Sequence, residues 1–269
     1  MERTKVTLRT LGERYKSETP ITMVTAYDAT FARLFDQAGV DTLLVGDSLG
    51  NVIQGQDTTL PVTLEDIIYH TRCVSRGARR AHIVADLPFL AYGTSLEDGI
   101  RSAGRLMKEG FAESVKLEGG EFNAELVHRL TQIGIPVVGH LGLTPQAYHV
   151  MGGYSVQGRG EDAAQRLLRD AKALQDAGAW AVVLEMVPAP LAKKVTEALH
   201  IPTIGIGAGP HTSGQVLVGY DLLGINDEFK PSFLKHYASL ADVIRDAVRT
   251  YCDEVTAREY PDEKHSFSK

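Results

Sequence analysis

The stretch Ser114-Val115-Lys116-Leu117-Glu118-Gly119-Gly120 predicts a short strand that ends in a glycine pair. Side chains alternate along an extended chain, so Lys116 and Glu118 point to one face and Val115 and Leu117 to the other. Charged groups are costly to bury unless they are paired or bind a metal. A salt bridge at a barrel rim would explain the pair. Two charges at the carboxyl end of a buried strand are also typical of an active site.

The same strand pattern recurs along the chain and alternates with helical segments. Short apolar runs predict eight strands, at 21–26, 42–47, 82–86, 114–118, 136–140, 181–185, 202–206 and 215–218. Helices are expected at 7–15, 30–38, 63–77, 95–110, 123–134, 161–177 and 190–199, with further helical pattern toward the C-terminus. Long loops are expected at 48–61 and 141–160.

Eight strands alternating with helices predict an α/β fold, a (β/α)8 TIM barrel with an N-terminal helix and a C-terminal helical extension. The competing architecture is an open doubly wound sheet. Its nucleotide-binding versions carry a glycine-rich turn after the first strand, which this chain lacks.

No linker or change of composition divides the chain, so a single domain over residues 1–269 is expected. Its barrel core would cover about 20–225, its C-terminal helices 231–256 and a polar tail 258–269. The formal net charge of -6 disfavours nucleic acid and anionic membranes as partners.

Membrane and secretory segments are not expected. No apolar run reaches the roughly 18 residues that a membrane helix needs. The polar stretch 1–16 does not resemble a secretory signal. Cys73 and Cys252 are the only cysteines, which argues against a disulfide framework and predicts a cytoplasmic location.

Polar residues end nearly every predicted strand, which is where barrels of this kind place catalysis. Asp47, Asp86 and Glu118 come from consecutive strands, which are neighbours in a barrel. Three oxygen ligands without paired His or Cys favour Mg2+ over zinc, and hydrogen bonds within rim loops are the alternative. Glu185 ends the sixth strand and is a candidate base or a rim ion pair. His140 ends the fifth strand and is a further candidate for substrate contact.

Several short motifs follow one another in a characteristic order. They are Val45–Ser48 with Leu60–Thr63, Ala85–Phe89, Val115–Gly119, Gly139–Pro145, Leu184-Glu185 and Gly205–Gly209. Together they resemble the ketopantoate hydroxymethyltransferase family over roughly residues 5–255. Any one motif alone would be a weak signal, but the set in order is highly specific.

The resemblance implies a (β/α)8 barrel that transfers a hydroxymethyl group from 5,10-methylenetetrahydrofolate to 3-methyl-2-oxobutanoate. It implies that Glu185 is the general base and that one Mg2+ per subunit is bound. The implied metal-associated residues are Asp47, Asp86 and Glu118. The implied ketoacid-binding residues are Asp47, Ser48, Asp86 and Lys116. The resemblance also implies a homo-oligomer, a decamer of two pentameric rings.

One position departs from the family pattern. The family usually has Asp before the pair Gly214-Gln215, and this chain has Ser213. Altered details are therefore expected in the loop between strands seven and eight, with an effect on folate affinity.

Three other functions stay open. A Mg2+-dependent 2-oxoacid C–C lyase of the phosphoenolpyruvate mutase and isocitrate lyase type would need a loop cysteine, and neither Cys73 nor Cys252 ends a strand. A phosphosugar isomerase would use the glycines at 205–209 for phosphate, although tight turning explains these glycines better. A non-catalytic binding barrel would leave the strand-end carboxylates without a role.

Overall fold

The computed structural model describes residues 4–267, so the ends of the expected domain and tail, residues 1–3 and 268–269, lie outside the described residues. Eight parallel strands close into a barrel in chain order. They are β1 Ile21–Thr25, β2 Thr42–Val45, β3 His82–Asp86, β4 Ser114–Glu118, β5 Val137–Gly142, β6 Ala181–Glu185, β7 Thr203–Ile206 and β8 Gly214–Leu217. The predicted (β/α)8 barrel is confirmed.

The helices lie where the sequence pattern places them, with small shifts at their ends. They are α1 Leu8–Lys16, α2 Ala29–Ala38, α3 Leu49–Val52, α4 Leu64–Gly77, α5 Leu96–Arg105, α6 Ala124–Gln132, α7 Tyr148–Met151, α8 Glu161–Asp176, α9 Ala189–Ala198, α10 Gly219–Leu222 and α11 Leu240–Ala257. Within residues 4–267 no helix is both long and apolar enough to cross a membrane.

Alternate strand residues point into the barrel and form its core. This inner cluster comprises Ile21, Met23, Leu44, Val84, Val138, Ala181, Val183, Ile204 and Val216. Helix α1 begins at a capping box in which Thr7 and Thr10 satisfy each other's backbone N–H groups. Leu11 of this helix is fully buried against the cluster, so the predicted N-terminal helix packs on the barrel core.

Both predicted long loops contain short helices. The loop at 48–61 contains α3, and the loop at 141–160 contains α7 after a 3-10 turn, Pro145–Ala147. Helices of about one turn are too short to leave a periodic apolar pattern, which is why the sequence did not predict them. The helix expected at 95–110 splits into α5 and a π-helical turn, Leu106–Gly110.

A second compact unit begins at Gly219. It contains α10 and α11, so the helical prediction for 231–256 is wrong for residues 231–239, where the chain turns. In the predicted polar tail, Asp262 caps a 3-10 turn, Glu263–His265. The expectation of one domain stays a prediction.

Candidate active site

The predicted site residues lie at the carboxyl end of the barrel. Asp86, Glu118 and Glu185 are the last residues of β3, β4 and β6, and His140 lies in β5. Asp47 follows β2 by two residues. All of these except Glu185 are buried, as is Lys116, so their charges must be satisfied within the site.

The loop after β2 brings Asp47 and Ser48 against β3. The backbone N–H of Asp47 donates to Oδ2 of Asp86 at 3.0 Å. Gly46 permits this approach, because a Cβ there would lie 2.9 Å from Ser48 Oγ and 3.4 Å from Asp86 Oδ2. The Ser48 hydroxyl is itself held by a 2.8 Å hydrogen bond with the Tyr27 hydroxyl. The two predicted ketoacid contacts are therefore adjacent and fixed.

Lys116 is the buried cation of the cluster. Its Nζ lies 3.0 Å from Asp86 Oδ1. Burial alone would lower the pKa of this ammonium, but Asp86, Glu118 and Asp47 outweigh burial and raise the pKa. The surrounding carboxylates therefore favour the charged form of Lys116.

His140 links the two sides of the site. Its Nδ1 lies 3.4 Å from Glu118 Oε1, and its Nε2 lies 3.2 Å from Glu185 Oε2. Burial and the nearby Lys116 oppose protonation, but the contacts with Glu118 and Glu185 raise the pKa of His140 to about 9. Lys116 Nζ is also 3.3 Å from Nδ1, but the surrounding carboxylates favour an imidazolium, whose contacts with Glu118 Oε1 and Glu185 Oε2 are ion pairs without aligned hydrogen bonds.

The cluster carries an excess of negative charge. Burial, followed by Asp86 and Glu118, raises the pKa of Asp47 well above its usual value, against the opposing effects of Lys116 and a Gln146 hydrogen bond. Two carboxylate oxygens, Asp86 Oδ1 and Glu118 Oε1, are fully buried and accept no aligned hydrogen bond. Unsatisfied buried oxygens in an anionic cluster fit a hard divalent cation such as Mg2+.

The three predicted metal-associated carboxylates do not surround one point. Among the residues that the structure describes, no three His, Cys, Asp or Glu side chains are arranged to hold one ion together. This arrangement suits Mg2+, which is usually bound by one or two carboxylates together with water and substrate. Asp86 and Glu118 each have one buried oxygen that contacts a cationic side chain, Lys116 or His140, without an aligned hydrogen bond.

Two residues of the site were not predicted from the sequence. Gln146, in the turn after β5, donates from its amide to Asp47 Oδ2 at 2.8 Å and from its backbone N–H to Glu118 Oε2 at 3.0 Å. The Tyr92 hydroxyl donates to Gln146 Oε1 at 2.8 Å. Gln146 directly follows the motif Gly139–Pro145, which was the available signal for it.

Ser213 lies at the other end of the barrel. Its Oγ accepts from the backbone N–H of Thr203 at 3.3 Å, and its own N–H donates to Thr203 Oγ1 at 3.3 Å. Thr203 begins β7, so both residues lie at the amino ends of the strands. The departure from the family pattern is therefore remote from the carboxylate cluster, and the expected effect on folate contacts has no support in this geometry.

Together the fold and the cluster define a (β/α)8 barrel with buried carboxylates, a lysine and a histidine gathered at the carboxyl ends of its strands. The sequence profile described as ketopantoate hydroxymethyltransferase matches residues 5–263. The chain belongs to this family. Proteins called 3-methyl-2-oxobutanoate hydroxymethyltransferase are similar: one from Leptospira biflexa is 57% identical, covering 95% of this chain and 96% of that protein. One from Syntrophus aciditrophicus is 55% identical, covering 98% and 97%.

Solved structures of other enzymes share the fold. A phosphonopyruvate hydrolase in complex with oxalate and Mg2+ has a TM-score of 0.66 at 12% identity, covering 96% of this chain and 92% of that one. A 2,3-dimethylmalate lyase of the phosphoenolpyruvate mutase/isocitrate lyase superfamily has a TM-score of 0.62 at 17% identity, covering 96% and 91%. These identities support the fold alone. Cys73 lies in α4 and Cys252 in α11, so neither residue ends a strand.

Proposed function

We propose that this chain transfers a hydroxymethyl group from 5,10-methylenetetrahydrofolate to 3-methyl-2-oxobutanoate, giving 2-dehydropantoate. The observation that carries the proposal is the family match over residues 5–263, together with relatives of that name above 50% identity. The overall reaction consumes one water, whose oxygen becomes the new hydroxyl group, and releases tetrahydrofolate.

Glu185 is proposed as the base that removes the proton from C3 of the ketoacid. Its Oε2 faces the His140 imidazolium at 3.2 Å, which fixes the carboxylate and leaves Oε1 to accept the proton. The electron pair of the broken C–H bond moves into the enolate, and C3 then attacks the one-carbon unit of the folate. His140 is therefore proposed as a positioning group for the base.

Lys116, Asp47 and Ser48 are proposed to bind the ketoacid. The Lys116 ammonium, held at 3.0 Å from Asp86, offsets the negative charge of the ketoacid carboxylate and of the enolate. The Ser48 hydroxyl is held by Tyr27, and Ser48 directly follows Asp47 in the chain. When bound, one Mg2+ would supply Lewis-acid polarisation of the 2-oxo group, with Asp86 and Glu118 as its protein ligands and Asp47 beside them.

The proposal is tested by exchange of the C3 proton of 3-methyl-2-oxobutanoate in D2O, followed by proton NMR with and without Mg2+. No folate is needed, so proton removal is isolated. Glu185→Gln should slow exchange by about 10²–10⁴-fold, because it removes the base but keeps the side-chain shape. The matched control is Glu197→Gln on α9, whose exposed carboxylate faces only Lys193 and whose loss should leave exchange unchanged.

Exchange at the wild-type rate in Glu185→Gln would remove Glu185 as the base. A wild-type protein that exchanges no C3 proton, with folate absent and then present, would contradict the proposed reaction. A decameric homo-oligomer and a cytoplasmic location are further parts of this proposal, supported by the resemblance in the first case and by the two unpaired cysteines in the second.

A further inference from the structure

Gln146, which the sequence did not predict, contacts two of the predicted carboxylates. It lies in the 3-10 turn Pro145–Ala147 that follows β5. Its amide donates to Asp47 Oδ2 at 2.8 Å and to the Leu87 carbonyl oxygen at 3.0 Å. Its backbone N–H donates to Glu118 Oε2 at 3.0 Å. One residue therefore holds carboxylates that come from two different strands.

The orientation of the Gln146 amide is fixed by its partners. Both hydrogens of Nε2 are used, since Asp47 Oδ2 and the Leu87 oxygen can only accept. Oε1 accepts from the Tyr92 hydroxyl at 2.8 Å. A flipped amide would place Oε1 against two acceptors, so the alternative orientation is excluded.

The single proton of Tyr92 is available for this bond. The Tyr92 hydroxyl accepts from the backbone N–H of Glu118 at 3.0 Å. The Glu118 carbonyl oxygen lies 3.2 Å from the same hydroxyl, but it already accepts from Asn123 Nδ2 at 2.8 Å. The shorter contact with Gln146 Oε1 therefore takes the proton, and Tyr92 locks the amide from the side opposite Asp47.

These hydrogen bonds fix one carboxylate oxygen each of Asp47, Asp86 and Glu118. Asp47 Oδ2 and Glu118 Oε2 are both committed to Gln146, and Asp86 Oδ2 is committed to the backbone N–H of Asp47. Glu118 Oε1 and Asp86 Oδ1 have no aligned hydrogen bond. Each of these two carboxylates thus has one oxygen tethered by an N–H, while its other oxygen has an ion-pair contact, Asp86 Oδ1 with Lys116 Nζ at 3.0 Å and Glu118 Oε1 with His140 Nδ1 at 3.4 Å.

We infer that Gln146 is a positioning residue that, locked by Tyr92, fixes one oxygen of Asp47 and one of Glu118 and so sets the orientation of both carboxylates at the site of the divalent cation and ketoacid. The inference rests on the proposed function. Gln146 acts through the carboxylates and takes no part in proton transfer. Without it, like-charged carboxylates that are buried together would rotate apart or recruit water.

The alternative is that Gln146 only fastens the turn after β5 to the barrel. Gln146→Met keeps the length of the side chain and removes the side-chain amide bonds to Asp47, Leu87 and Tyr92, while the backbone N–H bond to Glu118 remains. Tyr92→Phe keeps the ring and removes only the hydroxyl that locks the amide. The matched control is Gln157→Met, in the same loop, because the Gln157 amide donates only to Ser155.

The test is calorimetric titration of 3-methyl-2-oxobutanoate, with and without Mg2+, into the wild type and the three variants. Wild-type binding that does not depend on Mg2+ would contradict the proposed function itself. Given a Mg2+-dependent wild type, Gln146→Met should weaken binding in the presence of Mg2+ by about 10–100-fold, the usual effect of losing a residue that orients metal ligands. Tyr92→Phe should shift the affinity in the same direction by less, and Gln157→Met should leave it unchanged.

The melting temperatures of the metal-free proteins distinguish a role of Gln146 in positioning the carboxylates from a role in attaching the turn after β5 to the barrel. A positioning role predicts lost Mg2+-dependent affinity in Tyr92→Phe even where its metal-free melting temperature equals that of the wild type. Lower melting temperatures with unchanged Mg2+-dependent affinity in both Tyr92→Phe and Gln146→Met would overturn the inference. If Gln146→Met does not fold, Tyr92→Phe decides alone.

Discussion

The buried His82 should make the barrel lose stability as the pH falls. It begins β3, is 3% exposed, and its Nε2 lies 2.7 Å from Ser114 Oγ. Trp180 donates from Nε1 to the same oxygen at 3.1 Å. Burial lowers the pKa of His82 from 6.5 to about 4; Glu113 opposes this shift and Lys5 adds to it. The folded barrel therefore holds this imidazole neutral at neutral pH.

The magnitude follows from that shift. His82 binds a proton near pH 6.5 in the unfolded chain, whereas in the folded barrel it is protonated only near pH 4. Stability from this residue is fully present above the unfolded pKa and is lost as the pH falls toward the folded one. A difference of about 2.5 pH units corresponds to about 3 kcal/mol of unfolding free energy.

The assay is urea unfolding of the wild type and His82→Gln from neutral pH down to about 4. Glutamine retains a donor for Ser114 but does not titrate. The unfolding free energy of His82→Gln should therefore fall by about 3 kcal/mol less than that of the wild type over this pH range. Exposed His128 on α6 supplies the control, because His128→Gln should follow the wild-type curve. Parallel curves for the wild type and His82→Gln would refute the reasoning.

Two further predictions concern the site. Asp86→Asn keeps an oxygen that can accept from the Asp47 N–H but loses the charge that pairs with Lys116. Calorimetry should therefore show that Mg2+-dependent ketoacid binding is weakened at least about tenfold. An unchanged titration would count against Asp86 as a ligand. Gly142→Ala should lower the unfolding free energy by about 1–3 kcal/mol and slow exchange of the ketoacid C3 proton. The reason is that φ of Gly142 is +91° and that the new Cβ would lie 2.2 Å from the Glu185 carbonyl oxygen. Gly104→Ala on α5, with nothing within 4 Å of its Cβ, is the control and should not lower stability; equal losses in both variants would contradict the steric argument.

The sequence predicted the barrel well because its strands are short, nearly continuous apolar runs separated by helical segments, as strands buried on both faces are. The inward positions of β4 could be read directly, since Lys116 and Glu118 are two residues apart. Parallel strands in a barrel bring their carboxyl ends together, so Asp86 and Glu185 could be placed in one site without knowing any contact. Their functional roles stay predictions.

Gln146 could not be found in this way. Its partners Tyr92 and Asp47 are 54 and 99 residues away along the chain, and no local period relates them. The turn that carries Gln146 is only three residues long, so it leaves no helical pattern either. A polar residue after Pro145 looks like any other loop residue until the fold places its side-chain amide against Asp47 and its backbone N–H against Glu118.

The error at residues 231–239 has a related cause. Phe233, Leu234 and Tyr237 have helical spacing, which favoured a helix starting at Pro231. The backbone N–H of Tyr237 instead donates to the Leu222 carbonyl oxygen at 2.8 Å, so a contact with α10 replaces the helical hydrogen bond. Helix α11 begins only after Ser239. Tertiary hydrogen bonding here overrides the local pattern.

The two ends of strand β4 differ in how far their buried polar groups are hydrogen-bonded. Its three inward positions, Ser114, Lys116 and Glu118, are all polar and buried, which is costly unless each group is satisfied. At the amino end the network is closed, because Ser114 Oγ contacts both His82 and Trp180. At the carboxyl end Glu118 keeps a buried oxygen without an aligned hydrogen bond. A polar network in which every group is hydrogen-bonded rigidifies a fold. A buried polar group without an aligned hydrogen bond can instead interact with a bound ligand, so we expect the chemistry at the carboxyl end of β4.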